Sequence, residues 1–261
     1  MARIFPGYWV QLLVVALILA PIATLISPSV WTVQSAGQYI VANLSTFGLQ
    51  YLFDGTVFPH FDAWNGSAWT LMYELMAYAG CLAVFSVPWC RHHVITTSAS
   101  ALVALGGFTI VAPFAGVTTN LYLNTAYLGS YFAAGMLAYA LRDRIPVRWL
   151  LIGISTVAAV VLLAIPGGDG FAQIPIAYAL LAAGVALPTR VGSTNDISYG
   201  VYIYAFPVQQ IVAMLGAGEL LHLVVSITIT LVLAVGSWHW VERPANVGAG
   251  RFIARIRKCL Q

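Results

Sequence analysis

Long apolar runs, each ended by polar or charged residues, recur along the whole of this 261-residue chain. Eight of them can be marked, about 17 to 23 residues long, and none alternates with the period of two that is typical of strands. An α-helix rises about 1.5 Å per residue, so each run can cross about 30 Å of hydrocarbon. The pattern predicts an all-α fold, a polytopic membrane helix bundle with about eight transmembrane helices. The predicted spans are Tyr8–Ile26, Ala68–Pro88, Ile95–Val117, Leu121–Leu141, Trp149–Ile165, Phe171–Pro188, Ile197–Leu215 and Leu220–Val241.

The composition agrees with this pattern. Hydrophobic residues make up 61% of the chain and charged residues only 7%, and the mean hydropathy is +0.88. A soluble domain of this length has too little interior to hide so much apolar surface. The three cysteines show no spacing that is typical of a disulfide framework or a metal site, so we expect neither.

The basic residues predict the orientation of the spans. With eight spans both termini lie on one side of the membrane, and all 11 Lys and Arg residues fall on that side. The opposite loops carry only acidic charges, at Asp54, Asp62, Asp169 and Glu219. Basic loops stay in the cytoplasm, so both termini are expected to be cytoplasmic. The net charge of +3 reflects this asymmetry, and no basic and aromatic pattern indicates a nucleic-acid partner.

The chain is expected to form one transmembrane domain, residues 1–244, followed by a cytoplasmic tail, residues 245–261. The tail combines apolar and basic residues in the manner of an amphipathic helix on an anionic inner leaflet. The longest connection, residues 27–67, lies on the outer side and is the natural position for a lid over a site.

Glu74 stands inside the second predicted span, with no basic residue near it in sequence. An intramembrane carboxylate is costly and therefore indicates function. On a helix, Tyr78 shares its face four residues later, and Thr70 and Trp69 lie about one turn before it. We interpret Glu74 as a catalytic or orienting carboxylate and Trp69, Thr70 and Tyr78 as substrate-binding residues. The alternative is a polar cluster that only joins helices.

Two further sets of residues are candidates for binding. Tyr199 and Tyr202, next to Ser198, bring hydroxyls into the seventh span, although an interfacial aromatic belt would show the same residues. Arg3 stands at the inner end of the first span. Its guanidinium suits an anionic group such as a phosphate, and the alternative is a topology signal.

Three segments together resemble the acyltransferase 3 family of bacterial membrane O-acyltransferases. They are Arg3-Ile-Phe-Pro-Gly-Tyr-Trp9, Asn65-Gly-Ser-Ala-Trp-Thr-Leu-Met-Tyr-Glu74 and Ile197-Ser-Tyr-Gly-Val-Tyr-Ile-Tyr204. Weaker similarities add Phe132-Ala-Ala-Gly-Met-Leu-Ala-Tyr139 and Val241-Glu-Arg-Pro244. The segments follow the family's order and cover nearly the whole chain.

The resemblance implies an enzyme of the bacterial inner membrane. Such an enzyme moves an acyl group, often acetyl, from cytoplasmic acyl-CoA to hydroxyls of cell-envelope or exported glycans or glycolipids. Acyl-CoA is then a co-substrate, no bound cofactor is expected, and membrane lipids are the other partners. By the same resemblance, Arg3 corresponds to the second Arg of an Arg-x-x-Arg motif that would hold the phosphates of CoA. Glu74 corresponds to the acidic residue that follows Trp-Thr-Leu.

The family's presumed catalytic His lies upstream of that motif, in the first of about ten spans. We therefore expect that this chain lacks the N-terminal part, with two spans, that His and the first Arg, and that acyl transfer is impaired without them. Two other interpretations stay open. One is a transporter or glycan carrier, which an intramembrane Glu74 and a kink at Pro207 would suit, although no internal repeat is visible. The other is a non-catalytic remnant or partner subunit.

Overall fold

The computed structural model describes residues 4–26, 29–47, 49–53, 55–56, 58–59, 62–188 and 195–259, with side chains described as far as Arg251. The described residues form helices and connections and contain no strand, which confirms the predicted all-α class. The helices are α1 (Phe5–Val14), α2 (Ala20–Ala23), α3 (Val33–Ala42), α4 (Trp69–Ser86), α5 (Pro88–His92), α6 (Val94–Val111), α7 (Asn120–Ala140), α8 (Trp149–Ala164), α9 (Gln173–Ala186), α10 (Ser198–Met214), α11 (Glu219–Ser237) and α12 (Arg243–Cys259). A π-helical segment, Val15–Leu19, joins α1 to α2, and another, Trp238–Glu242, joins α11 to α12.

Every predicted apolar segment coincides with helix, and the differences lie at the ends. The helix in the third segment ends at Val111, because Pro113 and Gly116, with φ of 71°, form a turn where the prediction continued the span to Val117. The sixth begins at Gln173, since Gly168–Phe171 forms a short 3₁₀ helix. Turn chemistry, which a hydropathy pattern does not register, accounts for both differences.

Within the described residues, three helical stretches are long and apolar enough to cross a membrane: Phe5–Ala23, Val94–Val111 and Glu219–Arg251. Trp149–Ala164 and Gln173–Ala186 are apolar but shorter. Large apolar side chains lie on the outside of these helices, as Leu220 does at 75% exposure and Leu150 at 74%. Water would not tolerate so much continuous apolar surface, so the helices indicate a membrane protein.

The chain divides into two compact units, residues 1–72 with 190–261 and residues 73–189, and the boundary falls inside α4. In the first unit, α1 packs against α10 and against the segment Trp238–Glu242, and α10 packs against α11. The last contact is close because Gly200 has no side chain. A Cβ there would lie 2.8 Å from Ala234 Cα.

The long outer connection contributes to the first unit and has an aromatic core of its own. Tyr39 and Trp64 are almost fully buried, and Phe53 lies between them at ring distances of 4.5 and 6.1 Å. The Trp31 indole N–H donates a 2.7 Å hydrogen bond to the Ala16 carbonyl in the π-helical segment. The connection is therefore anchored to the first long helix by specific contacts.

In the second unit α6 packs on α7, α7 on α9, and α8 on α9. Its small core contains Leu102, Ala133 and Ala134, and the two alanines let the helices approach closely. The amide of Gln173 donates a buried 3.1 Å hydrogen bond to Ser130 Oγ.

The predicted amphipathic tail, residues 245–261, is helical as far as Cys259. It does not begin as a separate helix after Pro244, because the π-helical segment joins α11 to α12 without an interruption. Pro244 is tolerated where the helical hydrogen-bond pattern changes from i→i+5 back to i→i+4. A domain boundary at residue 244 stays a prediction.

Candidate functional site

A chain of polar side chains runs through the first unit and joins segments that are far apart in sequence. Thr70 Oγ1 and the Tyr202 hydroxyl share a hydrogen bond, and that hydroxyl donates to the Ser67 carbonyl at 2.5 Å. Ser67 Oγ donates to Asn65 Oδ1 at 3.0 Å, and Asn65 Nδ2 donates to Gln11 Oε1 at 2.9 Å. We call these five residues the polar seam. They connect the start of α4 with α10 and with the middle of α1.

The deepest member of the polar seam is Gln11, which is 0% exposed. Its Nε2 has no hydrogen-bond partner among the described residues, and the same is true of the hydroxyl of Tyr8, also 0% exposed and one turn earlier on α1. Sequence reasoning did not identify Gln11. The sequence feature that could have identified it is a single amide inside a 19-residue apolar helix, because a polar group in such a helix has to face the protein interior.

Tyr199 connects the third segment of the resemblance to the first. It is 9% exposed, and its hydroxyl donates a 2.8 Å hydrogen bond to the Ile4 carbonyl. Gly7 makes the approach possible, because a Cβ at that position would lie 2.8 Å from Tyr199 Cε1. Arg3, the predicted phosphate-binding residue, lies outside the described residues.

Glu242 is a buried carboxylate that was not among the predicted site residues. It is 1% exposed, and Ser237 Oγ donates a 2.7 Å hydrogen bond to its Oε1. On a regular α-helix, two residues that are five positions apart point in directions about 140° apart. The i→i+5 turn of the π-helical segment brings Ser237 and Glu242 to the same side of the helix. The sequence signal was weak, since Glu242 is followed by Arg243 and Pro244 at what resembles the cytoplasmic end of a span.

In the second unit, Glu74 accepts a 2.5 Å hydrogen bond from the Tyr78 hydroxyl, as their spacing on one helix face predicted. Both are accessible: Glu74 is half-buried and Tyr78 is 45% exposed. The Tyr78 ring meets Phe132 edge-on at 6.0 Å. No ion pair with Glu74 occurs in the part of the chain that the structure describes.

The predicted site residues thus fall into three groups. Thr70 and Tyr202 meet in the polar seam, and Trp69, 37% exposed, precedes Thr70 as the first residue of α4. Tyr199, on α10, contacts Ile4 just before α1, and Glu74 pairs with Tyr78 in the other unit. The roles proposed for these residues stay predictions.

The chemistry of these groups is that of hydroxyls, amides and one accessible carboxylate. Such groups bind sugar hydroxyls and carbonyl oxygens by directed hydrogen bonds. The histidines in the described ranges each hydrogen-bond a backbone carbonyl: His92, His93, His222 and His239. No group of three or more metal-ligating side chains occurs among the described residues.

Comparison with protein-family models, with curated proteins and with solved structures gives no match for this chain.

Proposed function

We propose that the protein is a membrane O-acyltransferase. It would move an acyl group, with acetyl expected, from acyl-CoA to a hydroxyl of a cell-envelope or exported glycan or glycolipid. The observation that supports this is that residues from all three segments that carry the resemblance contact one another or their near neighbours within the first unit. Tyr199 contacts Ile4, Tyr202 contacts Thr70, and Asn65 contacts Gln11, two residues after the end of the first segment.

In this proposal Glu74 orients the acceptor hydroxyl or accepts its proton as the oxygen attacks the thioester carbonyl. The acyl carbon–sulfur bond then breaks, and the CoA thiolate leaves. Tyr78 holds the carboxylate by its 2.5 Å hydrogen bond. Thr70, Tyr202 and Trp69 bind the substrate, Tyr199 supports the start of α1, and Arg3 binds the CoA phosphates.

The proposal includes the arrangement in the membrane. All eight apolar helical stretches would cross it, both termini would be cytoplasmic, and the membrane would be the bacterial inner membrane. At 16 and 14 residues, α8 and α9 rise only about 24 and 21 Å, so their flanking residues would extend into the interfaces.

The test is deletion of the gene in its native host, followed by release of ester-linked acyl groups from envelope and exported glycans with mild alkali. We expect one ester signal to disappear and to return with the wild-type gene. Glu74→Gln keeps the size of the side chain but removes the charge, and it should lower the initial rate of acyl transfer from labelled acetyl-CoA in membranes by about a hundredfold.

Glu219→Gln is the matched control, because Glu219 is an exposed carboxylate at the start of α11 and should leave the rate unchanged. An ester content that is the same with and without the gene contradicts the proposal. Accumulation of fully esterified glycan inside the cell would instead indicate the transporter interpretation.

A further inference from the structure

The second unit contains an apolar cavity of about 240 Å³ between α4, α6 and α7. Its walls are thioethers, aromatic rings and methyl groups, among them Met76, Phe85, Leu105, Phe132 and Met136. Cys81 also lines it, with Sγ 3.1 Å from Met136 Sδ. At about 30 Å³ for each water-sized group, the cavity has room for about eight such groups.

The cavity is accessible from outside the helices. Gly80 and Val84 line it and are exposed, Val84 at 42%. A Cβ on Gly80 would meet no atom within 4 Å. An apolar cavity of this kind excludes water and takes hydrocarbon, which a surrounding membrane supplies at high concentration.

A polar pair adjoins the cavity. Tyr73 and Ala77 line the cavity. Around the axis of α4, Glu74 points about 100° away from Tyr73 and about 60° away from Ala77, so it lies at the edge of the face that lines the cavity. The Tyr78 hydroxyl that donates to Glu74 belongs to a ring that packs on Phe132, itself a wall residue. A carboxylate accepts hydrogen bonds and donates none when ionised, so it selects a head that carries hydroxyls.

We infer that this cavity binds one hydrocarbon chain of a membrane amphiphile whose hydroxyl-bearing head contacts Glu74. The identification of this amphiphile as the acyl acceptor rests on the proposed function and makes that acceptor a glycolipid. The chain site itself does not depend on acyl transfer.

The test uses the whole protein in phosphatidylcholine nanodiscs and a dodecyl glucoside with a diazirine at the end of its chain. After irradiation, mass spectrometry locates the adducts. We expect them on residues 76–85 and 129–136. Gly80→Phe and Ala77→Phe, which fill the cavity, should each lower this labelling about tenfold, the loss expected when about two methylenes no longer enter.

Gly184→Phe on α9 is the matched control, because a Cβ there also meets no atom within 4 Å and the residue does not line the cavity. A probe with methylated sugar hydroxyls should label the wild type about tenfold less and should label Glu74→Leu as well as the unmethylated probe does. The proposed site is overturned if Gly80→Phe and Ala77→Phe are labelled as strongly as the wild type. It is also overturned if, in the wild type, the exposed residues of α8 are labelled as strongly as residues 76–85 and 129–136.

The link to acyl transfer has a separate readout. In the gene-deletion strain, Gly80→Phe should fail to restore the ester signal on lipid-linked glycans. If labelling is lost but the esters return, the cavity is a lipid site and the acceptor is not its occupant. If the wild-type gene restores no ester at all, the proposed function fails while the labelling result still decides the chain site.

Discussion

Several polar side chains are buried in the described part of the chain, and Gln11 and Glu242 are almost fully enclosed. A buried carboxylate or amide without partners loses its hydration without compensation, so partners such as Asn65 and Ser237 decide whether the position is tolerated. At the scale of the residue, hydrogen bonds to these groups set the local stability.

Ser237→Ala should destabilise the protein. It removes the hydroxyl that donates to Glu242 Oε1, while Glu242 keeps other interactions, so we expect a loss of about 1.5 kcal/mol, at the low end for hydrogen bonds to charged groups. The measurement is the thermal unfolding midpoint in detergent. Thr228→Ala is the control, since its exposed hydroxyl donates to a carbonyl of its own helix, Val224, and the midpoint should stay within error. Equal midpoints for both variants would contradict the role of Ser237.

The helices pack through small residues and through two π-helical segments. In water-poor surroundings helix association depends on close contact, which Gly200 opposite Ala234 and Gly7 opposite Tyr199 permit. The π-helical turn of Trp238–Glu242 contains one more residue than an α-helical turn. The extra residue rotates the positions that follow, and Glu242 therefore points inward. At the scale of the element, the positions without side chains decide which helices meet.

Gly200→Ala tests the contact of α10 with α11. The new methyl group would lie 2.8 Å from Ala234 Cα and 3.0 Å from its Cβ, so the two backbones have to separate. We expect a loss of about 1–3 kcal/mol in unfolding free energy, the usual cost of overpacking. Gly184→Ala in α9 has open space around its Cβ and should instead gain up to about 1 kcal/mol of helix propensity. A stable Gly200→Ala variant would show that these helices move apart without cost.

At the scale of the whole molecule, the apolar helices and the distribution of charged residues bear on how the chain lies in a membrane. In the part of the chain that the structure describes, helical stretches coincide with the eight predicted segments, and three of them are long and apolar enough to cross a membrane by themselves. The basic residues Arg142, Arg144 and Arg148 lie together in the connection between α7 and α8. By the positive-inside rule we expect this connection to lie in the cytoplasm.

Cysteine labelling tests this orientation within the second unit. In a chain without its native cysteines, Asp143→Cys should react with an impermeant maleimide only from the side expected to be cytoplasmic, because α7 ends and α8 begins at this connection. Thr118→Cys and Asp169→Cys, before α7 and after α8, should react only from the other side. Labelling of all three from one side would mean that α7 and α8 do not cross the membrane.

The sequence by itself determined the features that depend on neighbouring residues. The lengths of the apolar runs determined where the helices form, and turn residues such as Pro113 and Gly167 ended or separated them. The i, i+4 spacing on α4 determined that Glu74 and Tyr78 form a pair. These are local effects, and a periodic pattern carries them.

Only the tertiary structure decided the rest. Thr70 meets Tyr202 across 132 residues, and Tyr199 meets Ile4 across 195, and no local pattern specifies which of many polar residues will pair. The burial of Glu242 depends on one π-helical turn, and the cavity beside Glu74 depends on where small residues of α6 and α7 fail to fill the space next to α4. Such features follow from side-chain volumes and helix register after packing, because the same apolar residues can face lipid or protein without any change in the pattern.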